Sequence, residues 1–259
     1  FNDENVYLKH TGPMIIILTG SDINPNKKIN FKKNINFLKK NENRERFKII
    51  SISKFIKDIL DNHNIKNEYY NIAWTINQNM QLVKKKRSIL IYTAPSNATF
   101  YGSYIYEKVY LKLKDQFNFY IVGSDKQKVK TVSKRNNTIT DKNIKYFENA
   151  FDAYKNVFIG LRLVNFDGNA NTVKELGLCG IKCIHNGDDV NSIPWKSNDI
   201  FFDDDSNISE KESLAEITIN DIVDKILIES KFIGTSCNKL KTEVLENFYM
   251  KDNCLYFYE

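Results

Sequence analysis

The chain has 259 residues, 42% of them hydrophobic, and a formal net charge of +6 at pH 7. This length is enough for one large hydrophobic core or two modest ones. The lysines are interleaved with Asn and Asp and form no basic helix face, so the sequence argues against a nucleic-acid-binding protein. A weak contact with an anionic membrane surface is the most that this charge implies.

The cysteines and the hydropathy pattern indicate the cellular compartment of the protein. Cys179, Cys183, Cys237 and Cys254 are too few and too irregularly spaced for a disulfide framework or a zinc site. No signal peptide opens the sequence, and no apolar run reaches the length of a transmembrane helix. We therefore expect a cytoplasmic protein, and the start at Phe1 in place of Met leads us to expect a domain of a longer chain.

Strands and helices alternate over the first 80 residues. The apolar run Met14–Thr19 predicts a buried strand that ends in the turn Gly20-Ser21-Asp22. A helix rich in lysine and asparagine follows, and the run Phe47–Ile52 predicts a second strand. Ser53 then caps a helix whose apolar residues fall on one face.

The alternation restarts after a polar stretch, Gln78–Lys86, which we interpret as a hinge between two lobes. The predicted strands are Ser88–Tyr92, Phe117–Val122, Val157–Leu163, Ile181–Ile184 and a short edge strand at Asp199–Phe202. The predicted helices are Thr99–Lys114, with aromatic residues assigned to the core, Asp141–Tyr154, Thr172–Leu178, Ser213–Glu229 and Asn238–Phe248.

This alternation predicts an α/β fold with parallel, doubly wound sheets, whose ligands bind at the carboxyl ends of the strands. The expected domains are an N-terminal lobe over residues 1–80, a second lobe over residues 81–235, and a C-terminal helix and tail over residues 236–259.

The most informative segment is Asn156–Gly187, which predicts a strand, a loop, a helix and a second strand. The loop, Asn165–Asn171, is rich in asparagine, and it leads into a helix that Gly180 closes. A helix N-terminus presents unpaired backbone N–H groups and the positive end of the helix dipole, which suits a phosphate. Two acids with seven residues between them, Asp167 and Glu175, flank the start of this helix. Carboxylates bind hydroxyl groups well, so the segment predicts a site for a nucleotide-sugar.

In these motifs the chain resembles a GT-B glycosyltransferase of the retaining family 4 type. The resemblance rests on Leu18-Thr19-Gly20-Ser21-Asp22, on Ile50-Ser51-Ile52-Ser53-Lys54-Phe55, on the strand and loop Ile89–Ala98, and on the spaced acids Asp167 and Glu175. It implies two Rossmann-like lobes, of which the N-terminal one is short or truncated.

The sequence departs from this family in three places. Asp167 replaces the more usual first Glu of the acidic pair, and Thr19 stands where the family has His. The loop after the first strand of the second lobe has no cation before Lys108, although the family commonly supplies Arg and Lys there. Arg162, at the end of its strand, is the residue that we expect to neutralise the leaving diphosphate instead.

Each predicted site residue has a physical role. Glu175 is expected to bind both ribose hydroxyls, and Asp167 the hydroxyls of the donor sugar, so that Asp167 and Arg162 form the catalytic set. The helix start is expected to hold the diphosphate with residues Asn169, Asn171, Thr172 and Val173, while Gly168 permits close approach and Asn97 belongs to the loop facing the diphosphate. The turn Gly20-Ser21-Asp22 is the predicted acceptor side.

These observations predict a glycosyltransferase that moves a sugar from a nucleotide-diphosphate sugar to a glycan or other hydroxyl acceptor, with retention and without a metal or other cofactor. UDP, GDP and ADP all remain open as the nucleotide. A non-catalytic module that binds sugar or a partner chain is the alternative, and a non-hydrolysing epimerase is a weaker one. The acidic run Asp203-Asp204-Asp205 also resembles the metal-binding motif of GT-A enzymes, although a solvated turn explains it better.

Overall fold

The computed structural model describes residues 9–18, 23, 28–73, 76, 80–93, 102–123, 143–164, 167, 170–196, 208–247 and 249–250. The chain divides into two compact units. The first comprises Phe1–Thr75, Phe166–Ala170 and Phe248–Glu259, and the second comprises Ile76–Asn165 and Asn171–Asn247.

The first unit contains a three-stranded parallel sheet with the order β1-β2-β3. Its elements are β1 (Met14–Leu18), α1 (Lys28–Asn41), β2 (Phe47–Ser51), α2 (Lys54–Asn62), β3 (Glu68–Tyr69) and a parallel strand pair, β4 (Ile72–Ala73) with β11 (Tyr249–Met250). The Ser53 hydroxyl accepts a hydrogen bond from the backbone N–H of Ile56, as predicted for the helix cap. Ile56 and Leu60 then turn one face of α2 into the core of this unit.

The second unit is built on a six-stranded parallel sheet with the order β10-β9-β8-β5-β6-β7. Its strands are β5 (Ser88–Tyr92), β6 (Asn118–Val122), β7 (Ile144–Phe147), β8 (Ile159–Leu161), β9 (Lys182–Ile184) and β10 (Ser192–Ile193). Its helices are α3 (Ser103–Leu113), α4 (Ala150–Tyr154), α5 (Asn171–Leu178), α6 (Ile208–Ser230) and α7 (Asn238–Glu246). This architecture confirms the predicted α/β class with parallel sheets.

The strand order places a topological switch point between β5 and β8. The chain runs outward from β5 through β6 to β7, then returns to β8 beside β5 and continues through β9 to β10 on the other side. In such sheets the connections leave neighbouring strands in opposite directions, and a crevice opens at the carboxyl ends of the strands. The carboxyl ends of β5 and β8 are therefore where this unit is expected to bind a ligand.

Gly160 lets α5 lie close to the sheet. It is the middle residue of β8, and a Cβ atom at this position would collide with the side chain of Leu176 on α5 and lie tightly against that of Cys183 on β9. Gly180 follows α5 with a φ of 75°, the left-handed conformation that glycine adopts easily, as expected from its place past the helix end. Both glycines therefore set the position of α5.

One predicted element of this unit has a different type in the structure. The helix predicted over Asp141–Tyr154 is wrong: Ile144–Phe147 form edge strand β7, and the helix begins only at Ala150. Pairing with β6 outweighs helical spacing here, and the Asn149 side chain caps the new helix by accepting from the N–H of Phe151.

Other boundaries shift less. The strand predicted over Val157–Leu163 is confined to Ile159–Leu161, and the last helix ends at Glu246 rather than Phe248. The short strand β10 was not predicted, and the predicted strand at Asp199–Phe202 lies outside the described residues.

Candidate functional site

One tyrosine hydroxyl contacts the ends of both strands at the switch point. Tyr106 of α3 places its Oη 3.2 Å from the carbonyl oxygen of Tyr92, at the end of β5, and 3.3 Å from that of Leu161, at the end of β8. The same hydroxyl accepts a 3.0 Å hydrogen bond from the backbone N–H of Leu163. The carboxyl ends of the two strands are thus tied to each other through one side chain, which the sequence reading had assigned only to the core.

Replacing Tyr106 with phenylalanine is expected to lower the free energy of unfolding by about 1–3 kcal/mol, because it leaves the buried N–H of Leu163 without its partner. Urea denaturation measures this change. Tyr120→Phe is the matched control, because Tyr120 is half-buried on β6 and is expected to cost about 0.5 kcal/mol or less. Equal stability of the two variants would remove this role from Tyr106.

Arg162 brings a positive charge to the switch point. It directly follows β8, is 7% exposed, and donates its backbone N–H to the carbonyl of Ile184 at 3.1 Å. Its guanidinium carbon lies 4.5 Å from the ring centre of Tyr92, a cation–π arrangement. A cation held in this place suits the negative charge of a diphosphate, and this role of Arg162 stays a prediction.

Glu175, the fifth residue of α5, is the predicted ribose-binding acid, and this role stays a prediction. Its Oε2 accepts a 2.7 Å hydrogen bond from the hydroxyl of Tyr154, the last residue of α4. Burial raises the pKa of the Glu175 carboxyl, while the Tyr154 hydrogen bond and the charge of Arg162 act in the opposite direction. Burial, followed by the neighbouring charge of Glu175, also raises the pKa of Tyr154, so this phenol stays protonated and donates a hydrogen bond to the Glu175 carboxyl group.

A second set of contacts holds α5 against the segment after β9. The Nδ2 of Asn191 donates to the carbonyl oxygens of Val173 at 2.7 Å and of Ile181 at 3.1 Å. Lys174 and Asp189 form an ion pair at 3.1 Å with both side chains buried. The helix that carries Glu175 is therefore fixed on the side of β9 and β10 as well as on that of β8.

The structure brings together three of the predicted site residues. Arg162 and Glu175 lie close enough for their charges to interact, and the Thr172 hydroxyl hydrogen-bonds to the Tyr154 phenol that also contacts Glu175. Asn171 is the first residue of α5, and Asp167 belongs to the first unit, where its proposed role stays a prediction. Outside the described residues lie Gly20, Ser21, Asp22, Asn97, Gly168, Asn169 and the acidic run Asp203-Asp204-Asp205.

Tyr154 is the residue of this cluster that sequence reasoning missed. It stands in the run that was predicted as one long helix, and nothing in its neighbourhood along the chain marks it as polar or functional. Its partner Glu175 lies 21 residues away in sequence, so only the packing of α4 beside α5 reveals the contact.

The thiols and acids of the described residues form no further centre. Cys179, Cys183 and Cys237 are free thiols, and burial raises the pKa of Cys179 to about 12. Within the described ranges, no group of three or more His, Cys, Asp or Glu side chains is arranged to hold a metal ion. No described helix combines the length and the apolar character that crossing a bilayer requires.

Solved structures share the fold of this chain at low sequence identity. Sucrose-phosphate synthase from Thermosynechococcus elongatus is 10% identical, with a TM-score of 0.66 and coverage of 97% of this chain and 68% of the synthase. A mutant of S. aureus TarM, in complex with fondaparinux, alpha-GlcNAc-glycerol and UDP, is 13% identical, with a TM-score of 0.58 and coverage of 95% and 50%. WaaG, a glycosyltransferase involved in lipopolysaccharide biosynthesis, is 11% identical, with a TM-score of 0.55 and coverage of 92% and 71%.

These similarities confirm the predicted GT-B-like fold class. The chain spans about half the length of TarM. No protein-family model and no curated protein matches the sequence.

Proposed function

We propose that this chain is a glycosyltransferase that binds a UDP-sugar at the switch point of its second unit and passes the sugar to a hydroxyl acceptor. The observation that carries the proposal is the position of the Arg162 guanidinium directly after β8, at the end of the sheet where a strand order of this kind binds its ligands. From there its charge acts on the half-buried Glu175 carboxyl group of α5 and counteracts the rise in the pKa of that group that burial causes. A structural neighbour, TarM, has been solved with UDP, which supports uridine as the base.

The two side chains suit different parts of the donor. Glu175 accepts hydrogen bonds from the ribose hydroxyls, a role for which an ionised carboxylate offers several acceptor positions. Arg162 and the first backbone N–H groups of α5 lie toward the diphosphate, which carries the negative charge. The nucleotide is thus recognised at both its sugar and its phosphates.

Transfer breaks the bond between the anomeric carbon and the β-phosphate oxygen and forms a bond to the acceptor oxygen, whose proton is released. Negative charge grows on the departing diphosphate, so a cation and backbone N–H groups already in place stabilise the transition state more than the ground state. We propose that the configuration of the sugar is retained and that no metal takes part. Holding donor and acceptor in one geometry supplies the remaining rate enhancement.

The proposal is tested with ligands that share the base and differ in their phosphates. UDP and UDP-sugars are expected to raise the melting temperature, since a ligand at one hundred times its Kd stabilises by about 2.7 kcal/mol. UMP is expected to raise the melting temperature less than UDP does, and uridine is expected to leave it almost unchanged, because the contacts with the diphosphate are lost. GDP- and ADP-sugars serve as base controls.

Turnover is then followed as release of UDP from the UDP-sugar that stabilises the chain most, with hydroxyl acceptors added. UDP release that depends on the acceptor supports a transferase. Binding without any release of UDP points instead to a module that only recognises nucleotide-sugars. If UDP-, GDP- and ADP-sugars all leave the melting temperature unchanged, the proposed site itself is rejected.

A further inference from the structure

The carboxylate of Glu175 is held by a side chain to which the function proposed above assigns no task. Tyr154 is wholly buried at the end of α4 and donates its hydroxyl to Glu175 Oε2 at 2.7 Å. The hydroxyl of Thr172, in the first turn of α5, hydrogen-bonds to the same phenol. Three polar side chains thus form a chain that runs from the start of α5 to the carboxylate.

We infer that Tyr154 is a positioning residue, which fixes the Glu175 carboxylate in the orientation that binds the ribose hydroxyls of the donor. This inference rests on the proposed function. We assign Tyr154 no contact with the donor, because its ring is enclosed and its hydroxyl is engaged with Glu175 and Thr172.

The surroundings of Tyr154 hold its ring in place. Phe151, one turn earlier on α4, packs edge-on against it, with ring centres 5.8 Å apart and an interplanar angle of 87°. Asn149 fixes the start of this short helix by capping the N–H of Phe151. The hydroxyl therefore has a defined position from which it can orient a more flexible partner.

A flexible side chain such as that of Glu175 is ordered more by such a hydrogen-bond partner than a rigid side chain would be. A glutamate side chain has several rotatable bonds, and fixing them costs conformational entropy. If Tyr154 orders the side chain before the ligand arrives, this cost no longer weakens ligand binding. The Tyr154 hydrogen bond occupies one of about four acceptor positions of a carboxylate, so the carboxylate keeps capacity for a pair of ribose hydroxyls.

The hydrogen bond also bears on the charge of Glu175. The groups whose interactions with it are visible in the described structure are Arg162 after β8, Tyr154 on α4 and Cys179 directly after α5. Burial favours the neutral acid, whereas the phenol and the guanidinium favour the ionised form that accepts from ribose. Removing the phenol hydroxyl is therefore expected to raise the pKa of Glu175 further.

Tyr154→Phe tests the inference, because it deletes one oxygen and keeps the ring. Its Kd for UDP, measured by calorimetry at neutral pH, is expected to rise about tenfold, in line with the loss of a hydrogen bond to a charged group. The pH at which binding falls on acidification is expected to move upward, since Glu175 takes up a proton more readily. Tyr120→Phe, which removes a tyrosine hydroxyl from β6, is expected to bind UDP as the wild-type chain does.

A double-mutant cycle separates positioning from a general loss of structure. In the Glu175→Gln background, adding Tyr154→Phe is expected to change the Kd for UDP by less than about twofold, because the residue through which Tyr154 acts is already altered. Independent losses that multiply in the double variant would overturn the inference, as would an unchanged Kd and an unchanged pH profile in Tyr154→Phe.

Failure of the inference can be told from failure of the proposed function. If the wild-type chain binds UDP, Glu175→Gln weakens it and Tyr154→Phe does not, only the positioning role is rejected. If the wild-type chain does not bind UDP, the proposed function fails and the inference falls with it. If Tyr154→Phe does not fold, Thr172→Val takes its place, with an expected rise in Kd of about twofold to fivefold that disappears in the Glu175→Gln background. An unchanged Kd in Thr172→Val then overturns the inference.

Discussion

Asp189→Leu is expected to lower the free energy of unfolding by about 3–5 kcal/mol, the largest loss of stability that we predict for a single substitution in this chain. Asp189 and Lys174 pair at 3.1 Å with side chains that are 6% and 3% exposed. Removing the carboxylate takes a buried negative charge away from the Lys174 ammonium group, whose lost hydration that charge helps to offset. Urea denaturation at neutral pH, with the slope of the transition checked for constancy, measures the effect.

Two controls establish that the buried charge is the cause. The double variant Lys174→Met with Asp189→Leu removes both charges and is expected to recover most of the lost stability. Lys239→Ala breaks a comparable lysine–carboxylate pair on the exposed surface of α7, with Glu243, and is expected to cost less than about 1 kcal/mol. A single Asp189→Leu variant as stable as Lys239→Ala would contradict the account of this pair.

Glu175→Gln is expected to weaken UDP binding at least tenfold while it makes the unliganded chain more stable at neutral pH. The loss of affinity follows from removing the charged acceptor of the ribose hydroxyls, a contribution of about 1.5–3 kcal/mol. The gain in stability follows from removing a carboxylate that burial disfavours. Calorimetry with UDP and thermal melts of the same two proteins measure both effects.

The dependence on pH has a definite sign. Burial raises the folded-state pKa of Glu175 above its ordinary value of 4.5, so the folded chain binds this proton more tightly than the unfolded chain. The stability that the protonated group contributes is full below pH 4.5 and is lost as the pH rises through the folded-state pKa. The advantage of Glu175→Gln in melting temperature should therefore be small in acid and grow toward neutral pH. A variant that is less stable than the wild-type chain at every pH, with unchanged UDP affinity, would make Glu175 a structural residue.

The sheet of the second unit was predictable because its strands are short apolar runs between polar helices. Ser88–Tyr92 matched its predicted bounds, and the segment from β8 through α5 to β9 was recognised as one unit from its loop, its helix and Gly180. Such elements depend on local spacing and composition, which a sequence displays directly. The helix predicted over Asp141–Tyr154 failed because the sheet edge beside β6 decided its structure.

The buried polar contacts of the second unit were less predictable, because they depend on partners that are distant in sequence. Lys85 stands in a run of four basic residues that suggested a solvated hinge, yet it is 5% exposed. Its Nζ lies 4.0 Å from a carboxylate oxygen of Glu229 and 5.6 Å from the ring centre of Phe232, and burial lowers its pKa.

The same holds for Lys174, which has the spacing of an ordinary surface lysine on a short helix. Its burial depends on Asp189, which follows a later strand and approaches α5 only in the folded sheet. Tyr154 and Glu175 meet in the same way, from α4, which precedes β8 in the chain, and α5, which follows it. The pattern and spacing of the sequence were enough to locate α5 and Glu175, whereas the groups that hold them could be identified only from the tertiary structure.

The central claim is that UDP binds where β5 and β8 end beside α5. A titration of the isotopically labelled chain with UDP, followed by the backbone amide signals in NMR, tests it most directly. We expect saturable shifts at the amides of Thr93, Arg162 and the first turn of α5, and much smaller shifts with uridine alone. Saturable shifts confined to other strands of the second unit or to the first unit, or no shifts at all, would contradict the claim.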